Sequence, residues 1–132
     1  MIWFRCYDPS TNGRGGVHAW YNQLDPAFRA EIDSTMELLA LEKSLNDSPE
    51  VKELRGSCDG LTEIKIDFEL NGLEVHLRIL GFHGPARNEF TLLTGFEKDR
   101  NNSVYGAECA KANERMSGVL RDGNRAPPCG FP

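Results

Sequence analysis

The clearest pattern in this chain is a strict alternation of polar and apolar residues on both sides of an Asn-Gly pair. The alternation runs over residues 63–70, stops at Asn71-Gly72 and resumes over residues 73–79. Alternation with a period of two is typical of a strand with one buried face. Asn-Gly favours a two-residue type I′ turn, because both central residues need positive φ. The segment therefore predicts a β-hairpin in which Leu70 opposes Leu73.

This register assigns partners on both faces of the hairpin. On one face every apolar residue opposes another, as a sheet with one buried face requires. On the other face Lys65 opposes Arg78 and Asp67 opposes His76. Like charges directly across a strand pair are destabilising. An anion bound over Lys65 and Arg78 would explain their pairing, and so would two cations that splay apart on a solvated face. Arg78 is predicted to face outward with another cation as its neighbour, so Arg78→Ala is predicted to cost little stability.

Upstream of the hairpin, apolar residues recur at helical spacing. An aromatic-rich strand is predicted over residues 2–7, and a short amphipathic helix over residues 17–24 after a turn-rich loop. A longer helix begins at Asp25-Pro26, because Asp is a favoured N-cap and Pro is favoured at the first helical position. Residues 46–49 are predicted to end that helix and to begin a shorter one through residues 51–54.

Downstream of the hairpin, a third strand and a last helix are predicted. The strand covers residues 90–96, where the adjacent Leu92 and Leu93 indicate a β-bulge or a leucine that covers the other sheet face. A turn at residues 100–102 precedes a helix that Ser103 can cap. The order of elements indicates an α+β domain with its helices on one face of the sheet.

Length and composition describe one globular domain. The 132 residues are interpreted as a domain over residues 1–118 and a loose, Pro/Gly-rich tail over residues 119–132. No run of 18 or more apolar residues is present, and the N-terminus lacks the regions of a signal peptide, so a cytoplasmic protein is expected. The four cysteines lie far apart and form no metal-binding motif. They are therefore predicted to be reduced thiols.

The net charge of −5 argues against a protein coated with nucleic-acid-binding residues. Its distribution leaves room for a local basic surface. Residues 25–53 contain eight acidic and three basic residues, so this segment alone accounts for the excess, and the rest of the chain is balanced. A positive sheet face is thus compatible with the acidic total.

Three short stretches resemble a known family. They are GLTEIKI at residues 60–66, HLRILGF at residues 76–82 and FTLLTGFEK at residues 90–98. In their order and spacing they resemble the phage-related RelE/HigB-type toxins of type II toxin–antitoxin systems, and the resemblance covers about residues 1–117. It implies a small twisted, mainly antiparallel sheet with two N-terminal helices on one face and a C-terminal helix. It also implies a toxin that cuts mRNA in the ribosomal A site and is silenced by a cognate antitoxin.

The resemblance assigns roles to five positions. Glu63 matches a carboxylate that some members use as general base. Lys65 matches a basic residue of that strand, and Arg78 matches the arginine that holds the scissile phosphate. Lys98 matches the lysine after the fourth strand, and Phe96 stands where many members have His or Phe.

Metal-free cleavage of RNA needs a base for the ribose 2′-OH, cations for the phosphorane and an acid for the leaving oxygen. His76 is a second candidate base, although pairing with Asp67 would make it structural. Lys98, Arg100 and Tyr105 are candidates to assist the leaving group or to bind RNA. No metal or cofactor is expected. The alternative is a non-catalytic protein-interaction module of the same fold, similar to gyrase poisons or binding only an antitoxin.

Overall fold

The fold is built on the predicted hairpin, extended on both sides into a five-stranded sheet. We describe residues 1–99 and 104–131 of a computed structural model. Its strands and helices, in chain order, are β1 (Trp3–Cys6), α1 (Gly16–Gln23), α2 (Pro26–Ala40), β2 (Val51–Glu53), β3 (Thr62–Leu70), β4 (Leu73–His83), β5 (Glu89–Glu97) and α3 (Tyr105–Arg121). The strand order is β1-β5-β4-β3-β2, in which only the pairing of β1 with β5 is parallel. The protein is thus an α+β domain.

The hairpin has the predicted register. Lys65 pairs with Arg78 and Asp67 pairs with His76 across β3 and β4. The turn residues Asn71 and Gly72 have φ values of 54° and 79°, as a type I′ turn requires. The register is confirmed because the alternation and the turn chemistry specify the same pairing.

Helices cover both faces of the sheet. Helices α1 and α2 bury apolar residues such as Ile32 against the face that carries Ile64 and Leu77. Helix α3 packs on the opposite face, against Leu80 and Phe82. The expectation that the helices lie on one face is therefore wrong. The polar pattern of β3 suggested an open face, but the second half of β4 is apolar on both faces and needs a cover on each.

The adjacent leucines of β5 occupy opposite faces beside a bulge. Leu80 pairs with Thr94, whereas Gly81 pairs with Leu92, so Leu93 is an extra residue in β5. Leu92 belongs to the core beneath α1 and α2, and Leu93 to the core beneath α3. Both predictions for this pair, a bulge and a leucine on the second face, are confirmed.

The segment predicted to form a short helix is an edge strand. Val51 pairs with Ile64, and Lys52 pairs with Glu63, in the antiparallel ladder between β2 and β3. Leu54 packs in the core on the α3 side. Backbone pairing with a strand that is distant in sequence overrides the local pattern here. The predicted turn at residues 100–102 and the capping Ser103 lie outside the described residues.

The four cysteines form two disulfides, which contradicts the prediction of reduced thiols. Cys6 is bonded to Cys129, and Cys58 to Cys109. The sequence separations are 123 and 51 residues. Spacing along the chain suggested no pairing, because only the fold brings these residues together.

The C-terminal segment is not loose. Beyond α3, the backbone N–H of Cys129 donates to the carbonyl of Phe4 at 3.1 Å, and the N–H of Cys6 donates to the carbonyl of Pro127 at 2.9 Å. The ring of Phe131 stacks on Tyr21 with 3.9 Å between ring centroids. Residues up to 131 thus pack beside β1 as part of the same domain, which corrects the prediction of a loose tail.

We predict that Gly95→Ala destabilises the fold. A Cβ at Gly95 would overlap the indole ring of Trp20, which lies on β5 at this point. Such overpacking costs about 1–3 kcal/mol in the free energy of unfolding. Gly106→Ala in α3 is the control, since nothing lies within 4 Å of its Cβ. Gly106 is exposed in the first turn of α3, so this substitution should change the free energy of unfolding by less than about 0.5 kcal/mol. Urea unfolding measures both, and equal effects would contradict the packing of α1 on β5.

Candidate active site

A cleft of about 310 Å³ lies on the α3 side of the sheet, between β2, β3, β4 and the first turn of α3. It contains most of the predicted site residues together with two that were not predicted. The residues that line it are Lys52, Leu54, Glu63, Lys65, Arg78, Lys98 and Tyr105. The cleft is the place where the polar face of the hairpin meets the start of α3.

The strand register brings the polar side chains together. Lys52 opposes Glu63 across β2 and β3, and Lys65 opposes Arg78 across β3 and β4. Residues i and i+2 of a strand share a face, so all four lie on the α3 side. Tyr105 is the first residue of α3. The cleft therefore depends on three strands and one helix rather than on a local motif.

Arg78 is buried, and carboxylates balance its charge. Its side chain is 6% exposed, and its Nη1 donates to Asp67 Oδ1 at 2.6 Å and to the Leu77 carbonyl at 2.8 Å. Its Nε lies 3.9 Å from Glu63 Oε1. Burial is the largest single influence and disfavours the charged form, but the combined interactions with Asp67 and Tyr105 outweigh it and raise the pKa of Arg78. The expectation of an outward-facing arginine whose nearest partner is a cation is wrong.

Glu63 is also buried, and Tyr105 closes over it. The Tyr105 hydroxyl donates to Glu63 Oε2 at 2.5 Å. Burial, followed by the adjacent carboxylate, raises the pKa of Tyr105 to about 12. The phenol therefore keeps its proton at neutral pH and donates it in the hydrogen bond to Glu63. We expected Glu63 to face outward as well, but only 3% of the residue is exposed.

Three lysines supply the free positive charge of the cleft. Lys52 is exposed, whereas Lys65 and Lys98 are half-buried. In the described part of the chain, no ion pair is formed by any of their ammonium groups. The two carboxylates beside Arg78 leave these lysines uncompensated. The cleft can thus attract an anion without breaking an existing pair.

His76 lies next to this network but lines a neighbouring cleft that it shares with Lys98. Its Nδ1 is 2.9 Å from Asp67 Oδ1, and its Nε2 is 3.5 Å from Glu74 Oε2. Burial raises the pKa of Asp67, but the hydrogen bonds from Arg78 and His76 prevail, and its pKa lies below the ordinary 3.8. The pairing of His76 with Asp67 is the one that the register predicts.

The remaining predicted residues have different surroundings. Phe96 is buried in the core on the α3 side and packs edge to face on Tyr105, with 5.3 Å between ring centroids. Arg100 lies outside the described residues. Lys52 was missed because residues 51–54 were interpreted as a helix. The apolar-polar-polar-apolar order of residues 51–54 has no period of two, so no local signal in the sequence reveals this strand.

A comparison with protein families shows the family to which the chain belongs. The family model described as Phage derived protein Gp49-like (DUF891) matches residues 19–117. The chain belongs to the Gp49-like family. This family is associated with RelE-like toxins of toxin–antitoxin systems, which implies an antitoxin partner. No curated protein and no solved structure matches the chain.

The matched range of the Gp49-like family contains every residue that lines the cleft, from Lys52 to Tyr105. Within the described residues, no cluster of His, Cys, Asp and Glu side chains is arranged to hold a metal ion. No helix in that part of the chain is long and apolar enough to cross a membrane.

We predict that Arg78→Ala destabilises this Gp49-like protein. The substitution leaves the buried Glu63 without its cation, and breaking a buried ion pair costs about 3–5 kcal/mol. Lys65→Ala, at the opposing register position, removes a half-buried cation that forms no ion pair within residues 1–99 and 104–131. It should change stability by less than about 0.5 kcal/mol. Chemical denaturation of both variants is the measurement. Equal, small losses would show that Arg78 has no structural role.

A second prediction concerns acid. Because the pKa of Asp67 is lowered in the fold, its ionised form stabilises the protein above the ordinary value of 3.8. That contribution is lost as the pH falls through the folded-state pKa. Unfolding free energies measured from neutral pH to about pH 3 should therefore fall more steeply for the parent protein than for Asp67→Asn. Parallel curves would contradict the pairing of Asp67 with Arg78 and His76.

Proposed function

We propose that the protein is the toxin component of a toxin–antitoxin system that cleaves mRNA on the ribosome, without a metal, through attack by the ribose 2′-OH. One observation supports this proposal above the others. A single cleft combines a carboxylate hydrogen-bonded to a phenol, a buried guanidinium and three lysines that form no ion pair with any described residue. These groups can supply the base, the charge stabilisation and the acid that the reaction needs.

Glu63 is the proposed base, and Tyr105 connects it to the substrate. Tyr105 already donates its proton to Glu63 Oε2, and its oxygen also interacts with the Arg78 guanidinium. The second lone pair of that oxygen can accept a hydrogen bond from the ribose 2′-OH. As the 2′-oxygen attacks phosphorus, its proton moves to the Tyr105 oxygen and the phenol proton moves to Glu63. Tyr105 is thereby unchanged, and the proton ends on Glu63.

Cations neutralise the charge that develops on the phosphorane. Arg78 is held rigidly by Asp67 and the Leu77 carbonyl, so it needs little reorganisation during the reaction. Lys65 lies beside it on β3. Preorganised donors directed at developing charge usually contribute more to the rate than any other single effect. Lys65, which forms no ion pair within the described residues, adds an uncompensated positive charge beside Arg78.

Lys98 is the proposed acid. It lines the same cleft as Glu63, and its ammonium can protonate the departing 5′-oxygen. The P–O5′ bond breaks as the O2′–P bond forms, so the products are a 2′,3′-cyclic phosphate and a 5′-hydroxyl.

Phe96 positions Tyr105, and His76 positions Asp67 against Arg78. Arg100, near Lys98 in sequence, is a candidate RNA contact. The site of action would be the cytoplasm, on ribosomes.

We predict that Tyr105→Phe and Glu63→Gln each reduce cleavage by about 10²-fold or more, the contribution of a positioned acid or base. Tyr21→Phe is the matched control. Its hydroxyl donates to Asp33 at 2.7 Å and has a similarly raised pKa of about 12, but it lies on α1. The measurement is growth arrest on induction, together with mRNA cut sites mapped in the same cells.

A non-catalytic interaction module is the second candidate, and the deep burial of Glu63 and Arg78 favours it. A mutually satisfied buried network can be purely structural. Growth arrest without mRNA cleavage, retained in folded Tyr105→Phe and Glu63→Gln variants, would establish the module and reject the nuclease.

A further inference from the structure

A second cleft, of about 290 Å³, lies at the other end of α3. It is formed by the C-terminal half of that helix, the segment after it and the residue that follows β1. The residues that line it are Tyr7, Lys111, Glu114, Arg115, Gly118, Arg121 and Arg125. The lining thus has four cations and one carboxylate in a chain whose net charge is −5.

Two of these arginines have defined positions. The guanidinium of Arg115 lies 4.7 Å from the centroid of the Tyr7 ring, and its Nη1 donates to the Leu93 carbonyl at 2.8 Å. Arg125 lies over Gly118, where a Cβ would be 3.5 Å from its Nη1. The absence of a side chain at Gly118 makes room for Arg125 against the helix. These contacts hold the two arginine side chains in place along one side of the cleft.

The segment that presents Arg125 is fixed to β1. Arg5 donates through Nε to the Ala126 carbonyl at 2.7 Å and through Nη2 to the Gly123 carbonyl at 3.1 Å. The Asp8 N–H donates to the Arg125 carbonyl at 2.7 Å. The disulfide of Cys6 closes the same connection. The position of Arg125 is therefore set by the fold and not by a free tail.

The charge in this cleft is not balanced from within. Lys111 pairs with Glu108 at 3.0 Å. Arg115, Arg121 and Arg125 form no ion pair with any carboxylate of the described residues. The dipole of α3 favours a cation in the last turn, which accounts for Arg121 but not for Arg115, more than one turn earlier. An anion in the cleft would relieve the repulsion among the three.

Much of this cleft lies outside the part of the chain that matches the family. The matched range is residues 19–117, whereas Tyr7, Gly118, Arg121 and Arg125 precede or follow it. The two outer segments are joined to each other by the Cys6–Cys129 disulfide and the contacts of Arg5. The cleft is therefore a feature that this chain's own terminal segments add to the matched region.

We propose that this cleft binds phosphodiester groups of RNA, as a second contact remote from the scissile bond. The proposal rests on the proposed function, because it concerns the same RNA. Sixteen residues separate Tyr105 from Arg121, a rise of about 24 Å along the helix. A strand that enters the first cleft would thus meet the second several nucleotides away. The phosphate can belong to free mRNA or to ribosomal RNA.

The test removes two exposed arginines and compares the result with a matched loss of charge. The variant is Arg121→Ala with Arg125→Ala, and the control is Lys43→Ala with Arg87→Ala, two exposed cations that line a different cleft. The probes are a 2′-O-methyl RNA of about twelve nucleotides, within the range that single-strand-binding sites span, and a dinucleotide. Fluorescence anisotropy gives the Kd against salt, and co-sedimentation gives binding to ribosomes. Urea unfolding verifies that each variant is folded.

The arginine variant should weaken binding of the longer RNA by about tenfold and reduce its salt slope by about 1.4, the value for two lost single-strand phosphate contacts. Dinucleotide binding and the control should not change. A loss confined to ribosomes would identify ribosomal RNA as the source of the phosphate. An arginine variant that matches the control with both free RNA and ribosomes would overturn the second site.

A separate variant distinguishes failure of this site from failure of the proposed function. Lys65→Ala with Lys98→Ala should abolish dinucleotide binding. If this lysine variant binds RNA like the parent while the arginine variant loses binding, the second cleft is supported and the proposed active site is rejected. If the lysine variant loses binding while the arginine variant does not, the proposed active site is supported and the second cleft is rejected. A parent protein that binds neither RNA nor ribosomes would overturn both.

Discussion

The interaction on which the structure most depends is the pairing of the buried Arg78 guanidinium. Arg78 lies in the middle of β4, beneath α3, where an unpaired charge would cost several kcal/mol. Asp67 on the same hairpin and Glu63 farther along β3 provide the balancing carboxylates. Glu63 in turn accepts the hydroxyl of Tyr105, the first residue of α3. One chain of polar contacts therefore connects both hairpin strands to the helix that covers them.

The same network forms the floor of the proposed active site, so the residues that hold α3 on the sheet are also those proposed to act on RNA. Substitution of Arg78 or Glu63 would disturb the packing of α3 as well as the chemistry. The lysines at the rim, among them Lys65 and Lys98, do not belong to this buried network. A cleft of this kind resists reorganisation, which is what electrostatic stabilisation of a transition state requires. Loss of activity at the rim is accordingly easier to interpret than loss at the floor.

The disulfides and the terminal segments form a second layer of constraint. The Cys6–Cys129 bond joins the C-terminal segment to β1, and the Cys58–Cys109 bond joins the loop before β3 to α3. Disulfides persist mainly in oxidising compartments and are rare in the cytosol. The proposed action on cytoplasmic ribosomes therefore requires that the protein keep its fold with these cysteines reduced.

The sequence alone determined the hairpin, its register and its turn, because alternation and Asn-Gly are local signals that specify one pairing. It also determined which residues share the polar face, including Glu63 and Arg78. Only the tertiary structure decided that α3 covers that face and buries both. Likewise it decided that residues 51–53 form a strand, which adds Lys52 to the cleft, and that the cysteines pair. Each of these depends on contacts between residues far apart in the chain, whose energies leave no periodic trace in the local sequence.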